Sequence, residues 1–260
     1  MTAVLQQIAS SALILLFGVQ ALKVWRRFGT VRRDRAALAW KVTAASFLTV
    51  GVYATLHALV SAASVAAGEK SWLYPLVSDW GLLANLGRCV ASIASGLLLL
   101  ALMVVSRRTA PRIAAAAPTV LLVAAVAGTL AIRPFPIASP HDFFTRLAVL
   151  NAVTAVMMMA ALLAAVQNDA MDQLLWLALA AYAIKETLSV SLLAVIAFWG
   201  VAHVKPYFSA LFWLQLAVGI LMSVLAARRL HLAGGGRRVP ALFERLHDLR
   251  RQAPGPTGRV

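Results

Sequence analysis

The stretch QLLWLALAAYAIKETLSVSLLAVIAFW, residues 173–199, decides how this chain is read. It is apolar almost throughout, yet it carries Lys185 and Glu186 side by side near its centre. At about 1.5 Å per residue, a helix of this length more than crosses the ~30 Å hydrocarbon core of a bilayer. Lipid offers an open backbone no hydrogen bonds, so such a run crosses as a helix rather than as an open strand. On that helix Tyr182, Lys185, Glu186 and Ser189 fall at i, i+3, i+4 and i+7 and share one face. A charge at bilayer depth costs at least about 2.5–3.5 kcal/mol on insertion scales. The stripe must therefore look at protein or at water, and other spans must surround it.

Working outward, six further apolar runs cover residues 3–22, 37–64, 79–105, 113–132, 143–167 and 207–227. Segments with Pro, Gly or charge separate them. The composition agrees, with 62% hydrophobic and 13% charged residues against about 45–50% and 25% in soluble domains. The fold class expected is an all-α bundle of seven transmembrane helices. Residues 1–230 form it, and 231–260 form a basic tail. The connecting loops are too short for a second soluble domain.

The net charge of +15 would suggest nucleic acid in a soluble protein. Here no nucleic-acid partner is expected, because the basic residues sit in loops that flank apolar runs. Eighteen of the 24 Lys and Arg fall in the first and third connections and the tail, four fall on the opposite side, and Arg88 and Lys185 lie inside spans. The positive-inside rule then places the C-terminus in the cytoplasm and the N-terminus outside, in the inner (plasma) membrane of the cell. Basic residues follow the first apolar run instead of preceding it, so no cleaved signal peptide is expected. In the tail, Pro240 opens a short amphipathic helix over 240–251. Leu242, Phe243, Leu246 and Leu249 share one face, suited to the anionic cytoplasmic leaflet.

Polar residues inside the spans are the strongest functional clue. The second span carries Ser46, Thr49, Tyr53, His57, Ser61 and Ser64 at steps of three or four, and the third carries Asn85, Arg88, Ser92 and Ser95. The fifth offers Asn151 and Thr154, and the seventh Gln215. The expected ligand-binding set is His57, Arg88, Lys185, Glu186, Tyr53, Asn85, Tyr182, Asn151 and Gln215, gathered in the outer half of the bundle. Glu186 is the one acidic residue well inside a span, so it is expected to pair with Arg88, with Lys185 turned toward the same space. One cation is then left over, to be met by water, by Asn85 or by a small anionic ligand from outside.

Catalytic and cofactor chemistry finds little support. No His-Glu-x-x-His, Gly-x-Ser-x-Gly or P-loop pattern occurs. Haem held across two helices needs paired histidines, and only His57 lies well inside a span. The single cysteine, Cys89, forms neither a disulfide nor a zinc cluster. Asp79-Trp80 resembles a pair found in microbial rhodopsins, but the last span lacks the lysine a retinal Schiff base requires. Asn168-Asp169-Ala170-Met171-Asp172 resembles the first acidic motif of membrane prenyltransferases, but the second acidic cluster they need is missing. Asn168 or Asp169 is instead expected to cap the sixth helix, with Asp172 favouring its N-terminal dipole.

The function expected is non-enzymatic, with no cofactor and no metal. The protein would be a sensor-like or receptor-like molecule whose pocket binds a ligand and whose basic face and tail engage a membrane or cytoplasmic protein. The alternatives are a small-solute or proton-coupled transporter using Glu186 and His57, and a structural subunit of a larger membrane complex. A lining that reaches both faces would favour transport. A pocket closed on the cytoplasmic side would favour sensing, and stripes facing outward would favour a subunit.

Overall fold

The computed structural model describes residues 2–29, 34–67, 73–132, 140–168, 171–199 and 201–234. These form α1 (Thr2–Gly29), α2 (Arg35–Ala67), α3 (Leu73–Val104), α4 (Ala110–Ile132), α5 (Pro140–Asn168), α6 (Gln173–Trp199) and α7 (Val201–Gly234). All seven are long and apolar enough to cross a membrane, as expected of a multi-pass membrane protein, and no strand occurs among the described residues. The helices overrun the apolar runs at several ends. α7 does so most, carrying Arg228, Arg229 and His231 on past residue 227. The tail segment 240–251 lies outside the described residues.

The helices close a ring in the order α1, α2, α3, α5, α6, α7 and back to α1, with α4 docked outside against α2 and α3. The chemistry of α4 fits that place. Its run lacks any charged or amide side chain past Arg112, so it has no polar face to turn inward. Small residues set the close crossings. A Cβ added at Gly18 would fall 2.9 Å from the Leu48 backbone nitrogen, so α1 and α2 can approach only with glycine there. The outer surface carries apolar side chains on every helix, among them Leu16, Leu56, Leu97, Leu122, Val156, Ile184 and Val224. That is the surface a bilayer solvates.

One end of the bundle is held by charges that serve chain ends. The Arg35 guanidinium donates to the carbonyl of Met103, at 3.2 Å, and to that of Val105, satisfying the end of α3. Asn168 donates to the same Met103 carbonyl at 3.2 Å. Asp34 Oδ1 accepts the Ala37 N–H and starts α2. Asp172 Oδ1 accepts the N–H groups of Leu174 and Leu175 and starts α6. The helix cap is therefore Asp172, not Asn168 or Asp169. Asn168 still belongs to α5, where its amide also reaches back to the Ala164 carbonyl. Asp172 Oδ2 lies 2.6 Å from Arg229 Nε. The Arg229 guanidinium covers the Phe28 ring at 4.0 Å. These contacts join the C-terminal ends of α1, α3, α5 and α7 to the N-terminal ends of α2 and α6.

Just above that basic end the interior is a tight apolar layer. Phe17, Trp40, Phe47, Leu99, Leu102, Met103, Met158, Leu175 and Leu179 are all buried in one cluster. Phe17 meets Phe47 edge to face at 4.8 Å, and Phe47 meets Tyr182 likewise at 5.1 Å. Tyr182 is the top of this layer, and polar space begins above it.

Candidate functional site

A cavity of about 310 Å³ occupies the half of the ring away from the basic end. All six ring helices line it, and each contributes from that half. α2 offers His57, α3 offers Asn85 and Arg88, α5 offers Asn151, α6 offers Tyr182, Lys185, Glu186 and Ser189, and α7 offers Gln215. Eight of the nine residues expected at the site are thus brought together. Tyr53 is not among them. Its ring lies so close over Gly87 that a Cβ there would be 2.3 Å from Tyr53 Cε1, and it packs toward α3 and α4. His57 and Tyr53 lie one turn apart, but the missing side chain at Gly87 opens a slot beside the cavity that Tyr53 fills.

The sixth lining helix is one that sequence reasoning missed. α1 contributes Gln7, Ser10, Ser11 and Ile14, spaced i, i+3, i+4 and i+7. That spacing was the available signal. Ser10 and Ser11 donate to the carbonyls of Gln6 and Gln7, each at 2.8 Å, so each is satisfied on its own helix. The Ala54 carbonyl, 3.0 Å from Ser11 Oγ across the α1–α2 contact, competes for the same proton.

The central ion pair differs from the one expected. Lys185 Nζ sits 2.5 Å from Glu186 Oε1, and both side chains are buried. Neighbours in sequence point about 100° apart on a helix. The four-carbon lysine stem is long enough to curl across that angle, which a periodicity argument does not allow for. The ammonium also lies 4.9 Å from the centre of the Tyr182 ring. Glu186 Oε2 is buried and accepts no well-directed hydrogen bond from the described residues. The Tyr182 hydroxyl is beside that carboxylate but lies 3.2 Å from Ser92 Oγ. Ser92 spends its one proton on the Arg88 carbonyl, at 2.9 Å. Tyr182 thus has two acceptors for its one proton, Ser92 Oγ and the Glu186 carboxylate.

Arg88 is therefore the cation left over. Its Nε donates to Asn85 Oδ1 at 3.2 Å, and its Nη2 lies 3.7 Å from Cys89 Sγ. Cys89 in turn lies 3.5 Å from Asn151 Oδ1, tying α3 to α5. Arg88 forms no ion pair among the described residues. A neutral amide and a thiol do not balance a guanidinium, which stays charged at any ordinary pH. The charged residues of the lining are two cations and one carboxylate, and the aromatic rings of Phe143, Phe144 and Phe212 complete the wall. No cluster of three metal-ligating side chains occurs among the described residues.

Comparison with models of protein families, with curated proteins and with solved structures finds no match for this chain.

Proposed function

We propose that this protein is a non-enzymatic, receptor-like or sensor-like membrane protein that binds a small anion or carboxylate-bearing ligand at Arg88. One observation carries the reading. Lys185 holds Glu186 in direct contact, so the half-buried Arg88 guanidinium feels that carboxylate only at longer range and hydrogen-bonds only to neutral groups. An anion there would supply charge-assisted hydrogen bonds that no described side chain supplies.

Two further features support sensing over the alternatives. Most of the lining lies in the half of the bundle away from the basic end, and the layer of Phe17, Phe47 and Tyr182 closes it toward that end. A carrier in this state would have no path to the other face. The polar stripes of α3, α5 and α6 turn into their own ring, which leaves an assembly subunit nothing polar there to offer a neighbour. The basic end is assigned to the cytoplasm by the positive-inside rule, which puts the cavity in the outer half of an inner membrane. Its basic surface and tail would relay occupancy to a membrane or cytoplasmic partner.

Thermal unfolding in nanodiscs with acetate, succinate or phosphate tests the binding reading. At a concentration of 100 Kd, a ligand that binds only the folded state raises stability by about 2.7 kcal/mol. The expected result is a rise in melting temperature with at least one of these anions and none with choline. Proteoliposomes that accumulate the stabilising anion would replace sensing with transport. For orientation, Arg107→Cys should react with an impermeant maleimide only from the cytoplasmic side of sealed vesicles. The native Cys89 is buried and gives little background. Reaction only from outside would invert the topology.

A further inference from the structure

A second void lies on the lipid side of α6 and α7. It measures about 420 Å³ and is lined by α6 through Leu188, Ser191, Leu192, Val195 and Trp199 and by α7 through Ala210, Leu211 and Leu214. No charged residue lines it. Its walls include side chains that face the bilayer, such as Leu188 and Trp199. The two voids are not independent. Leu211 lines both, and it is itself buried between them. On α6, Ser189 and Leu193 face the polar cavity while Leu188, Leu192 and Val195 face the crevice. The Leu211 side chain thus borders both a cationic chamber and an apolar crevice that opens onto lipid.

We propose that the ligand is an anionic amphiphile, with a carboxylate or phosphate head at Arg88 and an apolar chain that runs past Leu211 into the α6–α7 crevice. The inference rests on the anion-binding reading of the cavity and names the ligand class. The two voids match the two halves of such a molecule in sign and polarity. The chamber is small enough for a headgroup, and its floor is closed by Tyr182 and Phe47. A long chain therefore has no room to lie beneath the head. The crevice provides the room, and because it faces lipid it also provides the entrance. A ligand taken from the outer leaflet would slide its head sideways between α6 and α7 and leave its chain in an environment like the one it left. Leu211 has to swing aside for that passage.

The test uses two series on the full-length protein in nanodiscs, with empty nanodiscs subtracted for partitioning. One series is inorganic phosphate, butyl phosphate and octyl phosphate. The other is acetate, butyrate and octanoate. Each methylene moved from water into an apolar site strengthens binding by about fourfold at most. In one or both series the eight-carbon member should bind at least about tenfold more tightly than the headgroup alone. Leu211→Trp fills the junction and should cut that advantage to under about threefold. Val195→Trp narrows the crevice from a position that does not line the cavity and should do the same with short-anion binding unchanged, which covers the case in which the Leu211 variant fails to fold. Short anions that bind while the long ones bind no better would overturn this inference and leave the anion site standing. A chain-length advantage that survives both tryptophans would also overturn it. If no member of either series binds, the anion site itself falls.

Discussion

Among the described residues one ion pair is half-buried and another fully buried, and they do different work. Asp172–Arg229 lies at the basic end, where each partner has a second task. Asp172 caps α6, and Arg229 packs on Phe28. Lys185–Glu186 lies at the centre of α6, where no chain end needs a cap. Its members serve no helix terminus, and Arg88 nearby serves none either. Charges that finish helices explain themselves through the backbone. Charges at mid-helix around a cavity have no such backbone role, and intramembrane ionisable groups of this kind are where a functional site is proposed first.

The comparison can be sharpened by breaking each pair. The larger effect is expected at the centre. Glu186→Gln leaves Lys185 buried without its carboxylate and should lower stability by about 3 kcal/mol, the usual scale for stranding one partner of a buried pair. Combining it with Lys185→Met should recover most of the loss, because both charges are then gone. Chemical unfolding of the two single variants and the double variant measures this, and additive losses would show that the two side chains do not depend on each other.

At the basic end the effect should be smaller and should follow the cap rather than the charge. Asp172→Ala should cost about 1 kcal/mol through the lost N-cap, and Asp172→Asn, which can still accept from Leu174 and Leu175, within about 0.5 kcal/mol. The carboxyl itself is held above the ordinary aspartate range. Burial raises it more than Arg229 and the two backbone N–H groups lower it. The folded state therefore keeps this proton more firmly than the unfolded chain does. Stability from this group is greatest below the unfolded value of about 3.9. It falls as pH rises through the folded value. The Asn variant should lack that decline. An Asn variant as unstable as the Ala variant would mean that the ion pair, not the cap, holds the end of α6.

What the sequence could and could not convey follows the same division. Seven spans are legible because lipid demands long apolar runs, and the inward faces of α3, α5 and α6 are legible because polar residues recur every three or four positions. The fate of Tyr53 is not. It depends on a slot left by Gly87 on another helix, and no pattern within α2 encodes that contact. The partner of Glu186 is hidden for another reason. Face arguments treat Lys185 as pointing along its own radius, whereas its stem bends to its neighbour. The polar face of α1 was present as Gln7, Ser10 and Ser11, but three small or neutral groups near a span end give a weak signal. The place of α4 outside the ring shows only as a lack of inward polarity. The order of the ring comes from packing between helices, which hydropathy does not carry.

The central claim is that Arg88 is an unbalanced cation awaiting an anion, unlike the arginines of the basic end. Equilibrium binding of the most stabilising anion to the protein in nanodiscs tests it most directly, with Arg88→Gln set against Arg107→Gln, an exposed arginine beyond the end of α3. Loss of a charge-assisted contact worth about 1.5–3 kcal/mol predicts that Arg88→Gln weakens binding by about tenfold or more. Arg107→Gln should leave the affinity unchanged, and both variants should melt within a few degrees of the parent in the absence of anion. Equal affinities in the parent and in Arg88→Gln, or equal losses in the two variants, would contradict the account.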